Sequence, residues 1–437
     1  MQDTHDMLRM RVYGLSGGQW HQVIAAWSGW LMDGYVSISY VLLVPIISVI
    51  LFPAGFGGFI ATILAFVVGA IARAAGSVYL GAALGDRIGR KRLLVISIIG
   101  FSAFSASLGL LPPYANAGII VPVVLYVLVF IEGMFGGAEY GGGTALSMES
   151  IPPEKRGMVG AFVQSGFGSG FLIAAFALIV ISSITNVADI GWRIMFFSTL
   201  IPGAIILAIR FGVSETEVFS DMSAKGEVER TPLLALFRES GGRMALALII
   251  TTALLYINSA TFSFWPIYIE DGRYLGVNLQ TGLFYILLIN FISLLGVWLG
   301  GALINRIGGR RRPMLSYALL LTVIIAPLTM ASLSRTPLVF VTAMSIIAFS
   351  EAMIFSTIPA LLSETFSKRY RVTATGFAYN GGAIVGSWAV TIIPLLAGTV
   401  GIAASWILNL LISCIVLVVG IALIPETWVS GKDKITN

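Results

Sequence analysis

Long apolar runs, nearly free of charge and following one another along the whole chain, constrain this protein more than any other feature. A helix needs about 20 apolar residues to cross the hydrocarbon core of a bilayer. Punctuation by Gly, Pro and charge separates twelve such runs, at 22–51, 56–84, 93–111, 119–146, 158–183, 192–211, 244–268, 281–304, 314–334, 338–363, 372–396 and 403–424. Several exceed a minimal span, which predicts tilt or short ends outside the lipid. A soluble protein is excluded by charge: 57% of the 437 residues are hydrophobic and 11% charged, against roughly 25% charged in soluble proteins. The 26 Phe, 14 Tyr and 9 Trp exclude disorder, and a single cysteine, Cys414, excludes a disulfide scaffold. The reading that remains is an all-α integral membrane protein with 12 transmembrane helices. Residues 1–20 are mixed polar, with Asp3, Asp6, Arg9 and Arg11 and no apolar region ending in a cleavage site, so the first span is expected to be retained.

The 26 basic and 21 acidic residues give a net charge of +5, and placement gives that charge its meaning. Arg87, Arg90, Lys91 and Arg92 follow run 2, and Lys155 and Arg156 follow run 4. Lys225, Arg230, Arg238 and Arg243 lie after run 6, Arg306, Arg310, Arg311 and Arg312 after run 8, and Lys368, Arg369 and Arg371 after run 10. The opposite loops offer Arg193, Arg273 and Arg335. Lys and Arg favour cytoplasmic loops. Both termini and the middle loop are therefore expected in the cytoplasm of a multi-pass plasma-membrane protein, and the charge needs no nucleic acid partner.

The chain also repeats itself. Asp86-Arg87-Ile88-Gly89-Arg90-Lys91-Arg92 recurs as Asn305-Arg306-Ile307-Gly308-Gly309-Arg310-Arg311. Glu149 stands seven residues before Arg156, as Glu364 stands seven before Arg371, and Phe130-Ile131-Glu132-Gly133-Met134 resembles Phe349-Ser350-Glu351-Ala352-Met353. The offsets, 215 to 219 residues, are about half the chain. Two six-helix halves, 1–211 and 244–437, joined by a cytoplasmic middle loop at 212–243, explain them. Parallel halves of this kind place a substrate site between them near the bilayer midplane.

These residues resemble the major facilitator superfamily. Gly81 through Arg92, with Asp86-Arg87-x-Gly89-Arg90-Lys91, is similar to its loop 2–3 motif. Glu364-x-Phe366-x-x-x-x-Arg371-x-Thr373, followed by Tyr379-Asn380, is similar to its loop 10–11 motif. Within the superfamily the chain resembles most the sialate:proton symporter branch, related to the metabolite:proton symporters. Gln19-Trp20, Ala25-Ala26-Trp27-x-Gly29-x-Leu31-x-Asp33-Gly34, Gly137-Ala138-Glu139-Tyr140-Gly141, Glu149-Ser150, Ser165-Gly166-Phe167, Gly191-Trp192-Arg193 and Phe196-Phe197 carry that likeness. It departs from the pattern in three places. Gly81 lies five residues before Asp86 rather than four, and the extra residue is expected to rotate that helix end by about 100°. Val129 stands where relatives carry an arginine. Phe262 stands where the lactate branch carries a histidine, although Asn258 and Thr261 fit the start of that branch's pattern.

Ionisable groups inside a membrane cost about 2.5–3.5 kcal/mol each on insertion scales and are functional candidates by default. Asp33, Glu132, Glu139 and Glu351 are the acids inside runs, and Arg73 reads as their one cation. Asp33, with Ser37 and Tyr40 on its helical face, is the leading proton-coupling carboxyl, joined by Glu139, Glu132 and Glu351. Burial raises a carboxyl pKa and a nearby cation lowers it, so a change of partner can switch its protonation. The resemblance assigns the same aspartate and an arginine at Arg73. The planar guanidinium of Arg73 suits a substrate carboxylate, or it pairs with Asp33. The plain alternatives are a structural salt bridge for Asp33 and Arg73 and neutral hydrogen bonding for Glu132 and Glu351.

Tyr35, Gln164, Asn258, Trp265, Tyr285, Asn290 and Asn380 are the polar and aromatic candidates for substrate binding, with Tyr256, Tyr379 and Trp388 beside them; the alternative is glue between packed helices. Asn258, Thr261 and Trp265 share one face at 3–4 spacing. Asp86, Arg87, Arg90, Glu149, Arg156, Glu364 and Arg371 read as a gate, since the resemblance implies that the motif aspartate meets a helix N-terminus and arginines across the halves. Asn305 in place of the second aspartate predicts a weaker latch there. Glycines at i+4 steps (Gly133, Gly137, Gly141; Gly166, Gly170; Gly382, Gly386) predict close helix packing.

No enzyme pattern is present. His5 and His21 have no metal-ligand spacing, there is no zinc pattern, Walker loop or serine elbow, and Gly141-Gly142-Gly143 has no lysine after it. No cofactor and no metal are expected. The expected function is proton-coupled symport of a small organic anion, such as sialic acid, another sugar acid or a hydroxy acid, by a monomer whose partners are that anion, a proton and membrane lipid. The alternatives are a metabolite:proton symporter for dicarboxylates, aromatic acids or zwitterions, and an uncoupled sugar carrier.

Overall fold

The computed structural model of the protein describes residues 13–229, 231–270, 275–429 and 432–433. Among them twelve helices are long and apolar enough to cross a membrane. They are α1 (Gly17–Ile50), α2 (Leu64–Gly85), α3 (Arg90–Leu110), α4 (Ile120–Glu149), α5 (Pro153–Ile184), α6 (Val187–Phe211), α7 (Pro232–Ser263), α8 (Leu279–Ile304), α9 (Arg311–Ser332), α10 (Pro337–Thr365), α11 (Arg371–Val400) and α12 (Ile402–Leu423). Helices satisfy their own backbone polar groups, which is what lipid demands of a spanning segment. A short helix, Glu217–Ala224, follows α6, and Trp428–Val429 pairs antiparallel with Lys432–Asp433 beyond α12.

Local chemistry explains the ends. The Ser16 hydroxyl accepts from the Gln19 amide at 3.3 Å while the Gln19 side chain accepts from the Ser16 amide at 2.9 Å, a reciprocal cap on α1. Pro153, Pro232 and Pro337 start α5, α7 and α10, where a missing N–H costs nothing. The tight turns before α3 and α9 place Gly89 at φ 118° and Gly309 at φ 81°, a region that side chains with a Cβ rarely enter.

The extra residue before Asp86 is absorbed rather than transmitted. Gly81–Gly85 forms one π turn, in which the Asp86 amide donates to the Gly81 carbonyl at 2.9 Å. An i→i+5 bond replaces the i→i+4 bond of an α-helix and takes up one residue, so the expected rotation of the helix end is not passed on to Asp86. The seventh span also differs from expectation. A helix at 232–239 leads straight into it, and a break at Ser240 (φ −134°, ψ 22°) separates that helix from the apolar span. Hydropathy reads Arg238, Glu239 and Arg243 as loop, but α7 is helical there.

Helix α2 packs on α4, α1 on α5, α7 on α11 and α8 on α10. Helices α5 with α8 and α11 with α2 and α4 join the first six spans to the last six. On the outer helices apolar side chains such as Ile201, Ile205, Val323, Ile412 and Val419 are exposed, as a surface wetted by lipid requires.

Candidate functional site

Between the first and last six spans lies a cavity of about 230 Å3. Its placement begins with glycine: a Cβ on Gly137 of α4 would overlap the backbone carbonyl of Arg73, so only glycine lets α4 approach α2 there. Close approach also occurs at Gly133, Gly141, Gly166, Gly170, Gly382 and Gly386. Arg73 then projects from α2 towards α1. Its Nη1 donates to Asp33 Oδ2 at 2.8 Å, its Nη2 donates to Asp33 Oδ1, and Nη2 also reaches the Ser37 hydroxyl at 3.1 Å. Asp33 is 1% exposed, and both partners line the cavity. The planar fork on a carboxylate is the strong, bidentate form of this interaction.

Glu132 lines the same cavity from α4, and its Oε1 has no hydrogen-bond partner among the described residues. Glu351 lines it from α10. Asn258 Nδ2 donates to Glu351 Oε1 at 2.8 Å, and the Thr261 hydroxyl lies 3.0 Å from Oε2. Gln164, Asn290 and Asn380 complete the polar lining. Asn290 donates to the Gly168 carbonyl at 2.7 Å, and Asn380 donates to Ser77 at 3.0 Å and to the Gly137 carbonyl at 3.2 Å. These bonds tie the two sets of spans together. Towards the basic loops, Tyr140 stacks on Tyr379 at 3.9 Å between ring centroids, and Trp30 lies 4.7 and 5.4 Å from these two rings. Phe66, Phe171, Phe196, Phe262 and Phe355 share the rest of the wall with aliphatic side chains such as Val36, Leu108, Leu255 and Leu294.

Six expected site residues lie elsewhere. Glu139 is 2% exposed and does not line the cavity; Arg210 of α6 donates to both of its oxygens, and Ser97 donates to Oε2 at 2.6 Å. Arg210 also donates to the Leu94 carbonyl. Arg73 is therefore not the one cation inside a span: Arg210 lies at the end of the run 192–211. Tyr35 turns away to Ser198, at 2.5 Å. Trp265 is buried against Phe262, with ring centroids 4.7 Å apart. The π turn Ser259–Ser263 changes the helical phase, so Trp265 leaves the face of Asn258 and Thr261. Tyr285 is half-buried outside the lining, Tyr256 bonds Asn409, and Trp388 is exposed.

On the basic-loop side the gate candidates form one network. The Asp86 carboxylate accepts from the backbone amides of Val372 and Thr373, at 3.2 and 2.9 Å, and from the Thr373 hydroxyl at 2.7 Å. It thus caps the N-terminus of α11, where helix dipole and free amides favour a negative charge. Burial pushes the Asp86 carboxyl above its ordinary value, against the pull of Arg90 and Thr373. The repeated acid–arginine pairs exchange partners between the two sets of spans: Arg371 lies 3.3 Å from Glu149, and Arg156 lies 3.6 Å from Glu364. Arg90 binds Glu149 at 3.1 Å and the Lys368 carbonyl at 3.1 Å. Arg310 binds Glu364 at 2.9 Å and the Pro153 carbonyl at 2.6 Å.

The network is duplicated in a way the motif search missed. Glu215 accepts from the amides of Arg90 and Lys91 at 3.1 Å each, and Glu426 accepts from that of Arg311 at 3.2 Å. Thr216 and Thr427 donate to Glu149 and Glu364, each at 2.9 Å. Phe219 and Trp428 cover the guanidinium groups of Arg90 and Arg310 at 4.9 and 4.8 Å. The signal was the dipeptide Glu215-Thr216 recurring as Glu426-Thr427. Arg87 is exposed at the loop. The side chain of Asn305, and Arg230 and Arg273, lie outside the described residues.

Twelve helices long and apolar enough to span, around a cavity lined by charged groups, are the architecture of a multi-pass membrane protein with a path for a solute. Residues 29–390, well over half the chain, match the family model of the Major Facilitator Superfamily, and the protein belongs to that superfamily. Membership makes it a transporter rather than an enzyme. A putative metabolite transport protein of Haemophilus influenzae is 28% identical to it over 363 residues, 79% of this chain and 82% of that protein. A probable 4-methylmuconolactone transporter of Cupriavidus pinatubonensis is 28% identical over 407 residues, 92% of this chain and 90% of that protein. Among solved structures, the proton:xylose symporter XylE bound to 6-bromo-6-deoxy-D-glucose is similar in fold, with a TM-score of 0.78 over 94% of this chain and 96% of that one, at 16% identity.

Proposed function

We propose that the protein is a proton-coupled symporter of a small organic anion, a monocarboxylate such as sialic acid, another sugar acid or a hydroxy acid. The observation that carries the reading is the bidentate Asp33–Arg73 pair facing the cavity between the two sets of spans. While Asp33 is ionised it occupies the guanidinium fork. A proton on Asp33 cancels that attraction and leaves Arg73 to a substrate carboxylate, so each favours the binding of the other. Glu139 has no part in this step, because Arg210 holds it away from the cavity.

The basic loops support an orientation with both termini and the middle segment 212–243 in the cytoplasm, and the membrane in this reading is the plasma membrane. The network of Asp86, Arg90, Glu149, Arg156, Glu364 and Arg371 then closes the cytoplasmic side. Segments 1–211 and 244–437 rock about the cavity, and one monomer suffices. Glu149→Gln weakens the contact that crosses the closure, from Arg371, and loosens the hold on Arg90, which itself reaches the Lys368 carbonyl across it. Losing one charge-assisted hydrogen bond, at about 1.5–3 kcal/mol, changes a population by about tenfold or more. In a Cys414→Ser background carrying Thr144→Cys on α4, alkylation by a membrane-impermeant reagent added to inside-out vesicles is expected to rise about tenfold with Glu149→Gln. Unchanged alkylation removes these residues from the gate.

The reading itself is tested with purified protein in liposomes holding an internal pH dye. Sialic acid, lactate, sugar acids, dicarboxylates and betaine are added in turn, with and without sodium. Substrate-dependent internal acidification without sodium is the expected result. Saturable tracer uptake without acidification would replace symport by facilitated or sodium-driven transport. The second reading, a metabolite:proton symporter for aromatic acids, dicarboxylates or zwitterions, is favoured by the phenylalanines in the cavity wall and by Val129, and the same panel separates the two.

A further inference from the structure

We infer that Glu351, with Asn258 and Thr261, is a second substrate subsite, which takes a hydrogen-bond donor, hydroxyl or ammonium, on the same molecule whose carboxylate Arg73 holds. The inference rests on the carboxylate reading above and adds the class of substrate.

Glu351 is fully buried, yet it lines the cavity. Among the described residues its hydrogen-bond partners are Asn258 and Thr261, one to each oxygen, and no ion pair to it is found there. A carboxylate offers about four lone-pair sites, so these neighbours position the group without saturating it. A buried acceptor with spare capacity is costly unless a donor arrives. The two sets of spans thus present complementary groups to the cavity. Arg73, on α2, offers donors; Glu351, on α10 with α7 beside it, offers an acceptor. They stand on the two sets of spans that alternating access moves against each other. A ligand shifts a conformational equilibrium only by its differential affinity for the two states. A substrate that touches both groups favours the closed state over either open one, whereas a carboxylate without a donor touches only α2. Asn258 and Thr261, three residues apart at the start of the π turn, keep the acceptor aimed at the cavity.

The experiment measures uptake and acidification in liposomes for matched sets on one carbon skeleton: propionate, lactate and alanine, and cyclohexanecarboxylate with its hydroxy and amino derivatives. A site built to hydrogen-bond a substrate group rejects the analogue lacking it strongly, by as much as 10⁴-fold or more. Wild type is expected to prefer a donor-bearing member of at least one set by tenfold or more, and the preferred member tells hydroxyl from ammonium. Thr261→Val and Glu351→Gln are expected to reduce that preference at least threefold at the wild-type ratio of protons to substrate, and Thr261→Ser to restore it. Transport of carboxylates with no preference for a donor overturns the inference and leaves the carboxylate reading standing. So does a Glu351→Gln variant that keeps the preference and loses acidification, which would make Glu351 the proton site. Transport of no carboxylate at all defeats the carboxylate reading, and the inference with it.

Discussion

Asp33→Asn is expected to abolish accumulation of substrate against its gradient while binding persists. The amide matches the protonated carboxyl in shape and charge, so Arg73 is left to the substrate in every state and no proton need accompany it. The physical lever is the pair itself, with its two bonds from Arg73 to Asp33 in a site 1% exposed at the acid. A one-unit pH step is worth about 1.4 kcal/mol, enough to hold about a tenfold substrate ratio for one proton carried. In proteoliposomes with such a step, wild type should approach that ratio, and Asp33→Asn should stop near equality. Tracer exchange between equal concentrations on the two sides should continue. Full proton-driven accumulation by Asp33→Asn would falsify the assignment of the proton to this residue.

The second large effect concerns stability. Arg210→Met leaves the Glu139 carboxylate buried, with Ser97 as its remaining side-chain donor, and removes the donor to the Leu94 carbonyl. Breaking a buried ion pair at one end costs about 3–5 kcal/mol, whereas replacing both ends with apolar or neutral groups is often nearly neutral. Arg210→Met alone should therefore lower the thermal midpoint in detergent markedly and reduce the yield of monodisperse protein. Arg210→Met with Glu139→Leu should recover most of the loss, and its proton-to-substrate ratio should match wild type. A stable double variant that transports without protons would return Glu139 to the coupling step.

The gap between these two acids shows where sequence reasoning ends. Asp33 and Glu139 both carry a carboxyl far inside an apolar run, and both belong to the family likeness. Their difference lies in the partner. Arg73, 40 residues from Asp33, brings that acid to the cavity, while Arg210, 71 residues from Glu139, takes that acid away from it. Neither pairing is a local property. Asn258 and Thr261 show the opposite case: their 3–4 spacing placed them on one helical face, and both do meet Glu351. Trp265 fails the same argument, because a π turn between them shifts the phase by a residue.

The chain's own chemistry determined the twelve spans, the loops that carry basic charge, the half-length repeat and the acids worth examining. Each follows from hydropathy, charge or spacing along a single segment, and lipid imposes them before any helix meets another. Tertiary structure alone decided which carboxyls face the cavity, that the repeated Glu–Arg pairs exchange partners between the two sets of spans, and that one π turn keeps Asp86 on the α11 N-terminus despite its extra residue. Those outcomes depend on distances between segments that lie far apart in the chain and on helical phase, and apolar patterning constrains neither.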